Sequence, residues 1–536
     1  MCSSDLIAAN FRRVLDVAVQ QDAPVWTATI PVGQASSLPT RQPPANARSS
    51  LASCLWHPQS DDGGFAAAAT TAAAPVRDAV TAILERAELA IEGLRAADAL
   101  YNPPAEPSRL PPPPIADPPP KQQGIFSAAA EEALGETGFW GLAVPESFGG
   151  AGCTMQELAR AITRMAANVP TAAGMLSVHS SIGAVASLAA FGSPDQQARH
   201  LPALARGLPL SIFGGTEPGV GCDLSAVATK LERRGDDLLA TGTKMFITGA
   251  TYGRLVKLLA TLDGQPAVAL ARLPDADGAT FRLRRYPLHP LKHAHNAALE
   301  FNGFKVAAAD LLAAPADRHG RPDAMKIIWH GLNRGRITLA AQAAGTLRIL
   351  LAQARDFAGS RRTWGEPIGS RQLVQGRLGR IAARTLACDA LAAWAAGCID
   401  AGETGELEAI TAKIVAGECV RESAIDALGV HGGRAFLVGH PLGDSFHDHL
   451  AVTVYEGESD LLGLALFKGI VKHHPLASLP RETIASRRAA AWLGWRISRF
   501  ARGPQPDGSI LDATLRGHAA QARRSLGRLA LRIDRK

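Results

Sequence analysis

Four clusters in this chain of 536 residues carry side chains suited to chemistry. The first runs from Phe213 to Asp223 and reads Phe-Gly-Gly-Thr-Glu-Pro-Gly-Val-Gly-Cys-Asp. Its glycines, Gly221 among them, let backbone N–H groups approach a polar ligand closely, and Thr216 adds a hydroxyl. The second, Gly242 to Thr248, is strand-like. Phe246 and Thr248 are two apart and so face one side of a strand, where a ring could lie against the aromatic while the hydroxyl bonds it. The third is Arg361-Arg-Thr-Trp-Gly-Glu-Pro-Ile368, with Gln372 beyond it. Adjacent guanidinium groups suit a pyrophosphate, or equally a helix C-terminus. The fourth is Val454-Tyr-Glu-Gly-Glu-Ser459, preceded by Gly432-Gly433 and Asp448. Burial between Tyr455 and Gly457 would lift the Glu456 carboxyl above ~4.3 and make it a base near neutral pH. A helix-start acid is the competing reading. Glu458, two residues on, would add a like charge and raise that base further.

These clusters need elements to hold them. Helical periodicity runs through Asp78–Leu100, Ile125–Thr137, Met155–Ala167, Ala172–Phe191 and Pro194–Ala205. From Leu208 to about Val306 the pattern changes to short apolar runs between glycine-containing turns (Leu238–Ala240, Met245–Thr248, Val256–Ala260, Ala267–Leu273), which predicts a β-region of about 100 residues. Helical stretches return at Arg336–Phe357, Leu373–Ala396 and Glu406–Leu428. Helices, then strands, then helices is not the alternation of a doubly wound sheet. The expected division is a low-complexity or disordered leader at 1–75, a helix with a proline-rich linker at 76–121, an α-helical domain at 122–207, a β-domain at 208–315, a helical bundle at 316–475 and a basic amphipathic tail at 476–536.

Composition bounds the function. Hydrophobic residues make up 47% and charged residues 20%, which argues for a folded core and against global disorder. The net charge of +7 is uneven: residues 481–536 carry 13 Lys/Arg against 4 Asp/Glu, leaving −2 for the rest. A globally basic nucleic-acid binder is excluded, and no specific nucleic acid is expected. Seven cysteines without a C-x-x-C pair point to neither a disulfide framework nor a zinc site, so no metal is expected. No secretory h-region and no uninterrupted apolar stretch of about 18 residues is seen, which predicts a cytoplasmic location.

Taken in order over Gln122 to His473, the clusters resemble the acyl-CoA dehydrogenase family. Gly138-Phe-Trp-Gly-Leu-Ala-Val-Pro-Glu146 and Asn333-Arg-Gly-Arg-Ile337 add to the likeness. The resemblance implies a mainly α fold with a central β-domain: a helical N-terminal domain, a β-barrel-like middle domain and a C-terminal four-helix bundle. It implies FAD, with Phe213, Thr216, Gly221, Cys222, Phe246 and Thr248 at the cofactor. Arg361, Trp364 and Gln372 would reach the flavin of a neighbouring subunit, and Gly432-Gly433 would lie at its adenine end, which implies a homodimer or homotetramer. The implied reaction is α,β-dehydrogenation of an acyl-CoA thioester. Glu456 would take the α-proton, Arg336, Tyr455 and Gly457 would lie on the substrate side, and electrons would pass to electron-transfer flavoprotein. An oxygen-using acyl-CoA oxidase and a DNA-associated relative are the alternatives.

The chain departs from the family pattern at several positions. Cys222 stands for a serine, Phe246 for the more frequent Trp, Gly429 for a Gln, His447 for an Arg and Glu458 for a Thr or Ser. The tail carries the helical stripe Leu515, Ala519, Ala522, Leu526, Leu529 and Ile533, with arginines mostly off it. Packing on the bundle is one reading and peripheral contact with an anionic membrane face through 481–536 is the other. An extra C-terminal helical region also resembles the very-long-chain branch of the family.

Overall fold

The computed structural model describes residues 77–101, 124–286, 288–317 and 319–472. The readings made for the leader, the proline-rich linker and the basic tail lie outside the described residues. The first helix, α1 (Asp78–Ala96), buries Val80, Leu84, Ala87 and Ile91, a stripe at spacings of 4, 3 and 4. This stripe packs into the same core as α2 (Ala128–Glu136) and α3 (Met155–Ala166). α3 starts with a full capping box, Thr154 accepting from Glu157 N–H while Glu157 accepts from Thr154 N–H.

The segment read as one helix over Ala172–Phe191 is broken. α4 (Pro170–Ser177) passes into a π-turn at Val178–Ile182, and α5 (Ala184–Phe191) starts afresh after Gly183. The cause is the sheet. A Cβ on Gly183 would stand 2.6 Å from Ser211 Oγ. His179 on the π-turn accepts the Ser211 N–H at Nδ1 (2.8 Å) and meets Leu204 O at Nε2 (3.1 Å). Burial pushes this imidazole down to about 3, so it is neutral and can both accept and donate. α6 (Pro194–Ala205) completes the N-terminal helices.

The β-region is one seven-stranded sheet: β1 (Ser211–Gly214), β2 (Lys230–Arg234), β3 (Asp237–Thr248), β4 (Leu255–Leu262), β5 (Gln265–Arg272), β6 (Phe281–Arg285) and β7 (Asn296–Ala307). The order is β1-β4-β2-β3-β7-β6, with β5 on the other side of β4. β1 and β2 run parallel to β4, and the other pairs are antiparallel. The two short runs expected at Leu238–Ala240 and Met245–Thr248 are parts of one strand.

The C-terminal helices are α7 (Met325–Ser360), α8 (Gln372–Asp400) and α9 (Glu406–His431), followed by α10 (Pro441–Asp444), α11 (Phe446–Ala451) and α12 (Ser459–Lys472). A two-stranded hairpin, β8 (Arg362–Thr363) and β9 (Glu366–Pro367), joins α7 to α8. The fold is thus mainly α with a central sheet. One core runs from Val80 through Ile337, Ala344 and Leu347 to Val420 and Leu442, so the helices before and after the sheet pack as a single body. Pro170–Phe191 and Met325–Ser360 are long and apolar enough to cross a membrane, but 61% and 67% of their most apolar windows are buried inside this body.

Candidate functional site

A cleft of about 1960 Å³ opens between the sheet and the helices. That is about twice the ~1,000 Å³ upper end for a small-molecule pocket, enough for two ligands side by side. Its wall on the sheet side carries Phe213, Thr216, Gly221, Cys222, Phe246 and Thr248, and its wall on the helix side carries Arg336, Tyr455, Glu456 and Gly457. Ten of the predicted site residues therefore meet in one place.

The sheet wall is shaped by a bulge. The β3–β7 register shifts between Lys244 and Ile247, and Phe246 sits at φ 57°. The simple two-residue alternation expected for Phe246 and Thr248 is thus locally broken, and the bulge turns the Phe246 ring outward, 53% exposed. Its N–H donates to Tyr286 Oη, and the two rings meet edge to face at 5.9 Å. Thr248 donates to Asn296 Oδ1 at 3.2 Å.

The glycine-rich loop is locked by an ion pair that sequence reasoning missed. Lys244, wholly buried, donates to Glu217 Oε1 at 2.6 Å and to Gly215 O at 3.1 Å. Glu217 also accepts from Ala228 N–H, Thr229 N–H and Thr229 Oγ1. Burial works to raise this carboxyl, but the hydrogen bonds from Lys244, Thr229 and Ala228 outweigh it and hold it below the usual range. The signal was present as a Glu in the first cluster and a Lys in the second; only the fold pairs them.

Glu456 sits in the loop between α11 and α12, with φ of 58°, followed by Gly457 at 109°. Arg336 on α7 donates from Nε to Glu456 O at 3.2 Å and from Nη1 to Asn333 Oδ1 at 3.1 Å. The side chain packs against bare helix: a Cβ on Gly335 would lie 2.6 Å from Glu456 Oε2. That oxygen is buried without a hydrogen-bond partner. Burial pushes the carboxyl up to about 7, with Arg336 and Lys413 pulling against the rise. Glu458 does not contribute as expected. It turns away and accepts from Asp460 N–H and Leu461 N–H at 3.0–3.1 Å, capping α12. The helix-start role considered for Glu456 belongs to Glu458.

The remaining predicted residues do not line this cleft. Arg361 ends α7, its N–H donating to Phe357 O. Trp364 sits at the tip of the β8–β9 hairpin, 89% exposed, with the Arg371 guanidinium 5.2 Å from its ring centroid. Arg362 and Arg371 close the hairpin through Gly365 O (2.9 Å) and Thr363 O (2.6 Å), so Arg362 is spent on structure. Gln372 opens α8, and Gly432-Gly433 follow α9 in an exposed turn. The space left by Gly429 is taken by Arg377: a Cβ there would lie 2.6 Å from its guanidinium carbon. His447 stacks on His289 at 4.8 Å. Among the described residues no group of three His, Cys, Asp or Glu side chains is placed to hold a metal.

FAD, the cofactor implied by the resemblance, fits this cleft. The site offers outward-turned Phe246, open space at Gly219 and Gly221 where a Cβ would touch nothing, the Thr216 and Thr248 hydroxyls, and a buried unpartnered carboxylate oxygen opposite. Comparison with known proteins agrees. The acyl-CoA dehydrogenase N-terminal domain matches residues 113–208 and the C-terminal domain matches 325–470. The probable acyl-CoA dehydrogenase YngJ of Bacillus subtilis (strain 168) is 28% identical over 356 residues, 66% of this chain and 92% of the relative. Butyryl-CoA dehydrogenase from Megasphaera elsdenii shares the fold at a TM-score of 0.63 and 22% identity, over 74% of this chain and 99% of that one. So does a glutaryl-CoA dehydrogenase from Mycobacterium smegmatis in complex with FADH2, at 0.60 and 20%, over 74% and 94%. A flavin-sized cleft with a buried, unpartnered carboxylate oxygen, on this helix–sheet–helix body and with both flanking domains matched, leaves one conclusion: the chain belongs to the acyl-CoA dehydrogenase family, FAD-dependent oxidoreductases that dehydrogenate acyl-CoA.

Proposed function

We propose that Glu456 is the base that removes the α-proton of an acyl-CoA thioester bound in the cleft. The observation that carries this is the Glu456 carboxylate itself: buried, unpartnered at Oε2, facing the cleft and raised to about 7. An α-proton is weakly acidic, so the base must be basic near neutral pH and the thioester carbonyl must be polarised as charge develops. In this reading the Glu456 backbone N–H faces that carbonyl, as the resemblance implies. Arg336 holds the loop through Glu456 O, and Phe246 and Thr248 hold the flavin ring. Bound FAD supplies the acceptor for the β-hydrogen, which leaves as hydride.

The test is anaerobic bleaching of the flavin by acyl-CoA. Glu456→Gln should keep FAD bound and slow bleaching by at least about 10³-fold, in line with loss of a general base; bleaching at the wild-type rate would sink the assignment. In wild type the rate should rise with pH through about 7, because only the ionised carboxylate accepts the proton. In this reading electron-transfer flavoprotein reoxidises the enzyme. Stoichiometric peroxide without it would favour oxygen as acceptor instead. Arg361, Trp364, Gln372 and the Gly432-Gly433 turn serve the flavin of a second copy, which is supported by their placement outside their own cleft.

A further inference from the structure

Behind the Glu456 loop lies a second lysine with no role in the chemistry so far. Lys413, on α9, is wholly buried. Its Nζ donates to Thr453 O at 3.0 Å and to Gly457 O, carbonyls on either side of Glu456. Neither bond is with a carboxylate. A buried ammonium that meets only carbonyls is costly, because its full charge is compensated by dipoles alone. Thr453 O does not need it either, since Ser459 donates to that oxygen from both N–H and Oγ (3.0 and 3.2 Å).

The charge does have a counterpart one residue away. The groups that act on Lys413 are Glu456, Arg336, Glu458 and Cys222, and Glu456 is foremost among the charges. Glu458 is tied to the start of α12, and Arg336 repels. Around Glu456 itself stand Arg336, Lys413 and the buried Tyr455 hydroxyl. Arg336 and Lys413 therefore grip the loop from opposite helices, one at Glu456 O and the other at Thr453 O and Gly457 O. Between these grips Glu456 and Gly457 hold positive φ, a conformation that is unfavourable for a non-glycine residue such as Glu456 and persists only where its surroundings impose it.

We propose that Lys413 is a positioning residue for the base: its buried ammonium pins the loop on both sides of Glu456 and, as a fixed positive charge behind it, favours the ionised carboxylate. Burial lowers Lys413 itself to about 8, above the value of about 7 for Glu456, so the ammonium is mostly charged at the midpoint of the Glu456 titration. The proposal rests on the reading of Glu456 as the base.

The experiment uses the FAD-loaded full chain, reduced anaerobically across pH 5.5–9.5 by whichever of butyryl-, octanoyl- and palmitoyl-CoA bleaches wild type fastest. Lys413→Met removes the charge and both hydrogen bonds while filling the space; Lys413→Gln keeps a donor and removes only the charge. Both should retain flavin. Both should shift the midpoint of the pH–rate profile upward by about one pH unit, a roughly tenfold loss below the midpoint that recovers at alkaline pH. Lys413→Met should in addition lose plateau rate. A flavin-loaded variant with an unmoved midpoint overturns the proposal whatever its rate, because a merely structural lysine would not move a pH profile. Loss of flavin from both variants overturns it too, since Lys413 would then be a packing residue. Glu456→Gln run in parallel separates the two readings. If that variant is dead and the Lys413 midpoint is unmoved, only this inference fails; if it still bleaches, the base assignment falls and takes this inference with it.

Discussion

At the scale of single residues, the site is a set of stability costs held in place by neighbours. Glu456 binds its proton more tightly folded (about 7) than unfolded (about 4.3), so between these values the folded state carries the extra proton and stability falls as pH rises. Glu456→Gln should therefore leave stability near pH 4 unchanged and raise it by roughly 1–3 kcal/mol above pH 7, as read from urea midpoints at the two pH values. The Glu217–Lys244 pair is the opposite case. Glu217→Gln leaves a buried ammonium behind and should cost about 3–5 kcal/mol, with loss of bound flavin because the glycine-rich loop is released. Sequence adjacency misled at this scale. Glu458 is two residues from Glu456 and does not act on it, whereas Lys413 is remote in sequence and does. The types and order of Phe213, Thr216, Phe246 and Glu456 were legible; their charge partners were not, because those are brought together only by the fold.

At the scale of elements, periodicity located the long helices and strands β3, β4 and β5, but not β1, β2, β6 and β7, whose short or charged runs carry little apolar pattern, and not the interruptions. The break at Gly183 and the bulge at Met245–Phe246 both arise from tertiary contact, against Ser211 in one case and between β3 and β7 in the other. Strand β4 shows a further constraint invisible to pattern. Its Lys257 pairs in register with Phe213 of β1, is almost wholly buried, donates to Ser187 Oγ at 3.0 Å and places Nζ 5.1 Å from the Phe213 ring centroid. A Cβ on Gly331 of α7 would come within 2.7 Å of that nitrogen. Burial alone pushes Lys257 down to about 7. Unfolded it titrates near 10.4, so between about 7 and 10 the unfolded chain binds more protons and wild-type stability rises with pH. Lys257→Met should stabilise by roughly 1–4 kcal/mol at pH 6, and the gain should shrink toward pH 10, as thermal melts across that range would show.

At the scale of the whole molecule, the helices on either side of the sheet were read as two domains, yet they share one apolar core. The chain leaves that core after Leu210, builds the sheet and returns to it at Ile337. Two walls of the cleft thus belong to different parts of the body, and a ligand that bridges them ties the sheet to the helices. Removing FAD should cost about 2.7 kcal/mol of stability where FAD had been present at 100 times its dissociation constant, and so lower the melting temperature in a concentration-dependent way. Re-addition followed by melting is the check.

The 36-residue helix α7 has a consequence of its own. At ~1.5 Å per residue, Arg336 and the end of the helix before Trp364 stand about 36 Å apart on one rigid rod. In the proposed assembly a working centre is put together from the loop of one copy and the hairpin of another. Two crippled chains could then repair each other. A Glu456→Gln chain still offers a sound hairpin, and a Trp364→Ala chain still offers a sound base. Co-expressed, they should form mixed pairs with one intact centre out of two, and activity absent from each parent should return in the mixture.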